Sequence, residues 1–445
     1  MGLTVVESTG GPWLKAAAAL DAGRSLGDAC ASAGLDRRTI ARLVSPGAGA
    51  WVELLDGVEG ARVLIAEHSP GLAGLRVAGE AAVVAFADMD ETRAHFRRRW
   101  LGDQAADVMV DTEQRLTTDR GPWDLVVLDG VLPVSRRGHT PPIDARVRRL
   151  AAGLAPYGRL VVVADNRPSP LRAVDRTIGR PAGPPGPSLR AIERAVADAG
   201  MAVVQRFGLL RSSLDGVTAF DLDAPLAASA VLASAIVNMD HTRAMGLRLL
   251  RLLAQHRAAA PIVPAWMVVG SFSSSRWASS PSRPTGRLGH KRSEEVKLLR
   301  GEPPTELEKR YPTPDAAGGE AMALRELEAR GLNVAPRLLA QRGPDRLRQA
   351  WHPGRPLRPA GLRPDELRAW VARAAQTIRT IQRATERSDG TVLVHGDYWL
   401  GNLLVEAGRV VAVLDWTRAH WGEPTEDVRH LVDHLVEMGW ASAQE

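Results

Sequence analysis

Between residues 51 and 224, short apolar runs alternate with longer stretches of mixed polarity. Residues 62–66, 82–87, 123–128 and 160–164 are rich in Val, Leu and Ala, and each is followed by an acidic residue. That is the pattern of strands buried on both faces. Strands alternating with helices predict an α/β, mostly parallel sheet over 51–225. Residues 202–206 and 217–222 are expected to close it as a last, antiparallel pair. Ahead of it, residues 26–35 and 39–43 predict a small helical cap within 1–50. Residues 227–258 predict helices, with Leu247, Leu249, Leu250, Leu252 and Leu253 as core, in a helical segment over 226–269. Residues 270–285, rich in Ser and Pro, read as a linker.

The rest, 286–445, has a different rhythm. Residues 305–309 alternate like a strand, and a helix over 319–330 stops at Gly331. Residues 334–339 and 347–351 predict strands of a small lobe. A helix over 364–386 carries Leu367, Trp370, Val371, Ala374, Ile378 and Ile381 at helical spacing. A strand at 392–394 is followed by a hairpin, 403–405 and 410–414, around residues 407–409.

Composition narrows the reading. The net charge is +6, but the chain has only four lysines, Lys15, Lys291, Lys297 and Lys309, among 57 basic residues. Arg-for-Lys usage beside abundant Ala, Gly and Pro reflects overall composition. No basic run is interleaved with aromatics, so a nucleic-acid partner is not expected. Cys30 is the single cysteine, which excludes an internal disulfide and a cysteine metal cluster. The first residues lack the charged and apolar regions of a signal peptide. The longest apolar runs, 225–239 and 258–270, are too short to span a bilayer, so no membrane association and a cytoplasmic protein are expected.

The chemistry concentrates in 391–416, TVLVHGDYWLGNLLVEAGRVVAVLDW. Asp397, Asn402 and Asp415 fall where strands run out into loops, the usual place for reactive groups on a rigid scaffold. Phosphoryl transfer needs such a set: a carboxylate to orient and deprotonate a hydroxyl, and an amide oxygen with a second carboxylate to hold Mg²⁺ on nucleotide phosphates. The stretch resembles the aminoglycoside phosphotransferase and choline kinase family, relatives of protein kinases with HGDxxxxN in place of HRDxxxxN. The resemblance implies a protein-kinase-like α+β domain from about Arg287 onward, with ATP and Mg²⁺ as cofactors. It implies Asp397 as catalytic base, Asn402 and Asp415 as metal ligands, and His395 as a brace for the loop. Trp416 stands where protein kinases have Phe. Residues 422–427, GEPTED, are similar to the family's GxPxxD segment, in which Asp427 anchors the loop. The family's Lys–Glu pair falls on Lys309 and Glu320, the glutamate sharing an apolar helix face with Leu324 and Leu327. Lys297 is the second candidate lysine. For the phosphate loop only Gly286, Arg287, Leu288 and Gly289 offer themselves, as a poor match. The implied partner is a small-molecule hydroxyl acceptor: a sugar, an aminoglycoside or another natural product. Little chain follows Asp427, so the acceptor pocket is expected to be small or to borrow from the N-terminal half.

The N-terminal strand order, with WDLVV at 123–127 and APYGRLVVV at 155–163, resembles the class I S-adenosylmethionine-dependent methyltransferase fold, a Rossmann-like sheet. In that family an acid and glycines in the first turn approach the cofactor, and an acid ending the second strand binds its ribose. Glu67, Gly71 and Asp88 match these positions; Ser69 and Ala73 stand where glycines are usual. His68 reads as a loop residue, and nothing identifies a methyl acceptor. S-adenosylmethionine binding is one reading, and a degenerate domain that shapes or recruits substrate is the other. The leading function is thus an ATP- and Mg²⁺-dependent kinase of a small-molecule hydroxyl fused to a methyltransferase-like domain. Methyl transfer as the main activity, and a non-catalytic nucleotide-binding scaffold, remain alternatives.

Overall fold

The computed structural model describes residues 11–35, 40, 50–67, 80–88, 91–101, 108–118, 120–129, 142–166, 168–171, 187–210, 218–236, 241–273, 283–288, 295–352, 354–359 and 362–440. The chain divides into two compact units, residues 1–232 with 240–291, and residues 233–239 with 292–445.

The first unit opens with α1 (Pro12–Asp21) and α2 (Leu26–Ser32). The Ser25 hydroxyl caps α2, accepting the Asp28 N–H at 3.2 Å. There follow β1 (Arg62–Glu67), β2 (Val83–Asp88), α3 (Glu91–Leu101), β3 (Val108–Thr112), α4 (Glu113–Thr118), β4 (Trp123–Asp129), α5 (Ile143–Ala152) and β5 (Leu154–Asp165). Then come α6 (Leu189–Asp198), β6 (Ala202–Leu209), β7 (Ala219–Asp221), α7 (Pro225–Ile236), α8 (His241–Gln255), β8 (Ala265–Ser271) and β9 (Pro284–Leu288). The strands lie in the order β9-β7-β6-β8-β5-β4-β1-β2-β3. From β3 to β5 every pairing is parallel. Parallel strands carry helices on both faces and so are buried on both, and Val63 to Ala66 and Leu160 to Val163 are all fully buried. This is the methyltransferase-like Rossmann arrangement the sequence predicts.

Three expectations need correction. β6 and β7 do pair antiparallel, but they do not finish the sheet beside β5. That place belongs to β8, antiparallel to both β5 and β6. Residues 265–269 were expected in a helical segment, yet β8 is buried along its whole length. Periodicity cannot separate a buried strand from a buried helix in so short an apolar run. Pro264 and the β-branched Val268 and Val269 favour the strand. Second, residues 270–285 are not all linker: Gly270 and Ser271 end β8, and Pro284 and Thr285 begin β9. The central part, 274–282, lies outside the described residues. Third, in α8 Leu247 and Leu250 are buried, but Leu249 and Leu252 are 56% and 53% exposed. Five leucines in seven positions span more of the helix circumference than one core-facing stripe can cover. α1 has no counterpart among the predicted elements, and most of 39–43 lies outside the described residues.

The second unit begins with an antiparallel sheet of β10 (Val296–Arg300), β11 (Glu306–Arg310), β12 (Leu338–Gln341) and β13 (Arg346–Ala350), in the order β12-β13-β11-β10. Between β11 and β12 runs α9 (Pro314–Ala329). It starts at Pro314 rather than 319 because Thr313 caps it, its hydroxyl accepting the Ala316 N–H at 3.4 Å, with Pro pre-set at the first turn. It stops at Gly331, whose φ of +69° is the left-handed conformation that ends helices. The larger part holds β14 (Arg355–Pro356), α10 (Pro364–Thr385), β15 (Val392–Val394), β16 (Leu403–Glu406), β17 (Arg409–Val413), β18 (His420–Gly422) and α11 (Thr425–Glu437). β16 and β17 form the predicted hairpin, while β15 pairs with β18. One core joins Leu324 and Leu327 of α9, Ile378 and Ile381 of α10, Leu393, Leu403, Val413 and Trp416. It is the protein-kinase-like α+β fold expected.

Candidate active site

Chain geometry explains the His-Gly-Asp sequence after β15. Gly396 has φ +79°, and a Cβ there would collide with the Arg418 carbonyl. Only glycine lets the loop lie against 416–418. Asp427, fully buried at the start of α11, holds the loop from below. Its carboxylate accepts the His395 N–H at 2.9 and 3.1 Å and the Gly396 N–H at 3.0 Å. His395, also buried, ties two strand ends together. Its Nε2 lies 2.8 Å from the Leu414 carbonyl, and its Nδ1 accepts the Asp397 N–H at 3.2 Å. Those partners require the neutral Nε2–H tautomer. Burial, which lowers the imidazole pKa, favours the same form. His395 and Asp427 are therefore braces, as the resemblance implies.

The braces position the three reactive candidates. Asp397 is half-buried just past the loop; Asn402 ends a short turn and donates from Nδ2 to the Asp397 carbonyl at 3.0 Å. That bond fixes the amide so that its oxygen is the remaining acceptor. The Asn402 carbonyl accepts the Leu414 N–H at 2.8 Å, so Asn402 is latched to the strand carrying Asp415. Asp415 adopts the left-handed conformation, φ +67° and ψ +58°, uncommon for a non-glycine residue and typical of sites where backbone strain serves chemistry. Its Oδ1 accepts the Thr417 hydroxyl at 3.1 Å. Burial pushes its carboxyl up, but Lys309 and then Lys297 outweigh burial and hold it below the usual carboxylate range. An amide oxygen and an ionised carboxylate on rigid backbone suit a hard divalent cation. Mg²⁺ keeps water and phosphate oxygens as its other ligands, so it needs no all-protein cage. No group of three or more His, Cys, Asp or Glu side chains that could hold a metal occurs among the described residues.

The predicted lysine pair is formed. Lys309 Nζ lies 2.8 and 2.9 Å from the Glu320 carboxylate oxygens, and both residues are buried. Gln349 Nε2 donates to Glu320 at 2.7 Å, and the Tyr311 hydroxyl donates to its other oxygen. Burial pulls the Lys309 ammonium down; Glu320, then Tyr311, Glu295 and Asp415, raise it well above the ordinary lysine value. The cation therefore stays charged beside Asp415. β11 sorts its charges by alternation: Lys309 points to this side, while Glu308 on the other side accepts from Arg300 at 2.9 Å and Arg348 at 3.2 Å. α9 can press against 416–418 because Gly319 has no side chain; a Cβ there would sit 3.1 Å from the Thr417 carbonyl.

Of the candidate phosphate loop, Gly286, Arg287 and Leu288 belong to β9, and Gly289 lies outside the described residues. In the strand, Gly286 faces Val231 and the buried Arg287 donates to Glu53 at 2.6 Å. In the first unit, Glu67 and Asp88 close β1 and β2. The register sets position 67 beside Asp129 of β4, so the three positions share the C-terminal edge of the parallel strands. Gly71 lies outside the described residues.

Several neighbours were not anticipated. Tyr311 and Gln349 buttress Glu320; the first follows Lys309 at a two-residue strand spacing, a legible signal, while the second arrives from a paired strand. His434 of α11 places Nε2 3.5 Å from Asp397 Oδ1 and its ring 5.1 Å from that of Trp399. Only the fold brings these together.

Residues 242–444 match the model of the phosphotransferase enzyme family, so the C-terminal region carries a domain of that family. No curated protein matches the chain. Among solved structures, the chain is similar to a sarcosine dimethylglycine methyltransferase from Galdieria sulphuraria, with 11% identity and a TM-score of 0.31 over 51% of this chain and 82% of that one. It is similar also to a thermostable mutant of an aminoglycoside phosphotransferase, with 15% identity and a TM-score of 0.26 over 32% and 69%. A macrolide 2′-phosphotransferase from Brachybacterium faecium matches with 19% identity and a TM-score of 0.22 over 34% and 69%. No helix among the described residues is long and apolar enough to cross a membrane.

Proposed function

We propose that the protein transfers the γ-phosphoryl group of ATP, with Mg²⁺, to a hydroxyl of a small molecule such as a sugar, an aminoglycoside or another natural product. The observation that carries this is the joint arrangement of two features: the Lys309–Glu320 pair with its charge felt at Asp415, and the braced loop that sets Asp397 beside Asn402. Asp397 accepts the acceptor hydroxyl's proton as its oxygen attacks phosphorus. Lys309, oriented by Glu320, neutralises phosphate charge. Asn402 and Asp415 would hold the magnesium ion, which supplies charge stabilisation on the phosphates. Phosphorus gains the acceptor oxygen and loses the bridging oxygen to ADP.

A second reading concerns the first unit. Glu67 and Asp88 end adjacent parallel strands, the edge where such sheets bind nucleotide-like cofactors. That favours S-adenosylmethionine as a ligand there. Thermal unfolding with ATP/Mg²⁺, and separately with S-adenosylmethionine, tests both readings. A ligand at a hundredfold excess over its Kd adds about 2.7 kcal/mol to the unit that binds it. No shift with ATP/Mg²⁺ would remove the kinase reading, and no shift with S-adenosylmethionine the second.

A further inference from the structure

Four lysines serve the whole chain, and two of them stand face to face. β10 and β11 pair antiparallel with Lys297 directly opposite Lys309. Directly opposed residues project on the same side of a sheet, with Cβ atoms about 4.5–5.5 Å apart, and like charges so placed destabilise the ladder. Such a pair persists where anions gather. Glu295 is one: its carboxylate lies 3.0 Å from Lys297 Nζ and 3.5 Å from Lys309 Nζ. The two cations are not equivalent. The Lys309 side chain is 5% exposed and engaged with Glu320, whereas that of Lys297 is 31% exposed and held by Glu295 at the end of the strand.

We propose that Lys297 is a second phosphate-binding cation of the nucleotide site, released by Glu295 to the terminal phosphates when nucleotide binds. The proposal rests on the phosphotransferase reading above and adds to it. Gly286, Arg287 and Leu288 of the glycine-loop candidate lie in β9. Lys297 adds positive charge on the same face as Lys309. Glu295 acts as the resting counter-ion, keeping two opposed ammonium groups together before the phosphates arrive. In this account Lys297 binds substrate, and Glu295 competes with it.

Calorimetric titration of the full chain with Mg-ATP, Mg-ADP and AMP tests this, using wild type, Lys297→Met, Lys297→Arg and Glu295→Gln. A hydrogen bond to a charged group is worth about tenfold to hundredfold in affinity. Lys297→Met is expected to weaken Mg-ATP binding by that factor, to weaken Mg-ADP less, and to leave AMP unchanged. Lys297→Arg restores most of the loss. Glu295→Gln binds Mg-ATP at least as tightly as wild type. If Lys297 only completes an ion pair with Glu295, Lys297→Met and Glu295→Gln change affinity in the same direction and equally for all three nucleotides, which overturns the proposal. Wild-type affinity in Lys297→Met overturns it alone. Failure of the wild-type chain to bind Mg-ATP overturns it together with the phosphotransferase reading.

Discussion

Replacing Lys309 with Met removes the ammonium that the proposed function assigns to the nucleotide, and it also tests what holds the small lobe together. Lys309 and Glu320 are 4% and 1% exposed and meet at 2.8 and 2.9 Å. Removing one member of a buried pair strands the other charge away from water, at a cost of about 3–5 kcal/mol. Tyr311 and Gln349 still donate to Glu320, so the low end, about 3 kcal/mol, is expected. For a unit of this size that lowers the melting temperature by about 6–12 °C. Lys309→Met combined with Glu320→Leu removes both charges together and should recover most of the loss, a coupling of about 2 kcal/mol or more. The full chain has two compact units, so a single melting curve does not define one free energy. Hydrogen exchange at β11 and α9 amides, read alongside urea unfolding, assigns the loss to the second unit. The reasoning fails if Lys309→Met matches wild type to within about 0.5 kcal/mol, or if the double variant loses the sum of the two single losses.

Asn402→Ala and Asp415→Ala should each abolish most of the Mg²⁺ dependence of ATP binding, measured by titration with and without the metal; unchanged dependence would contradict the ligand assignment. Gly396→Ala, which drives a Cβ into the Arg418 carbonyl, should cut turnover by about a hundredfold through displacement of Asp397 while ATP affinity changes little. Glu308 sets an acid limb. Burial pushes its carboxyl up, but Arg300, then Arg310 and Arg348, pull it below the ordinary value. A depressed folded pKa gives stability that is full above the unfolded glutamate value and is lost as pH falls through the folded one. Glu308→Gln should therefore flatten the decline of stability with acid, and an unaltered acid profile would refute the assignment.

Much of the second unit was legible because its signals are local. Strand 392–394, the hairpin and the helix ending at Gly331 all follow from apolar spacing and turn residues. The Lys309–Glu320 pair follows from a carboxylate on an apolar helix face, which demands a cation. β8 was harder to read: its apolar run has no periodicity to separate strand from helix, only Pro264 and two β-branched residues to favour the strand, and its place between β5 and β6 depends on pairing with strands far off in the chain. Leu249 and Leu252 show the same limit, since a leucine-rich helix does not announce which stripe faces the core. Lys297 was visible only as a spare lysine, because register against Lys309 is a property of two strands together. His434 and Gln349 reach the site from other elements by tertiary packing, which leaves no spacing in the sequence to read.

The most direct measurement is transfer of label from γ-phosphate-labelled ATP, with Mg²⁺, to a panel of hydroxyl-bearing sugars and glycosylated natural products, by the full chain and by Asp397→Asn, with ATP binding measured on both. The account predicts that wild type labels an acceptor hydroxyl. It predicts that Asp397→Asn binds ATP with unchanged affinity and transfers label ~10²–10⁴-fold more slowly. Transfer by Asp397→Asn at the wild-type rate, or a wild-type chain that binds no ATP, would contradict it.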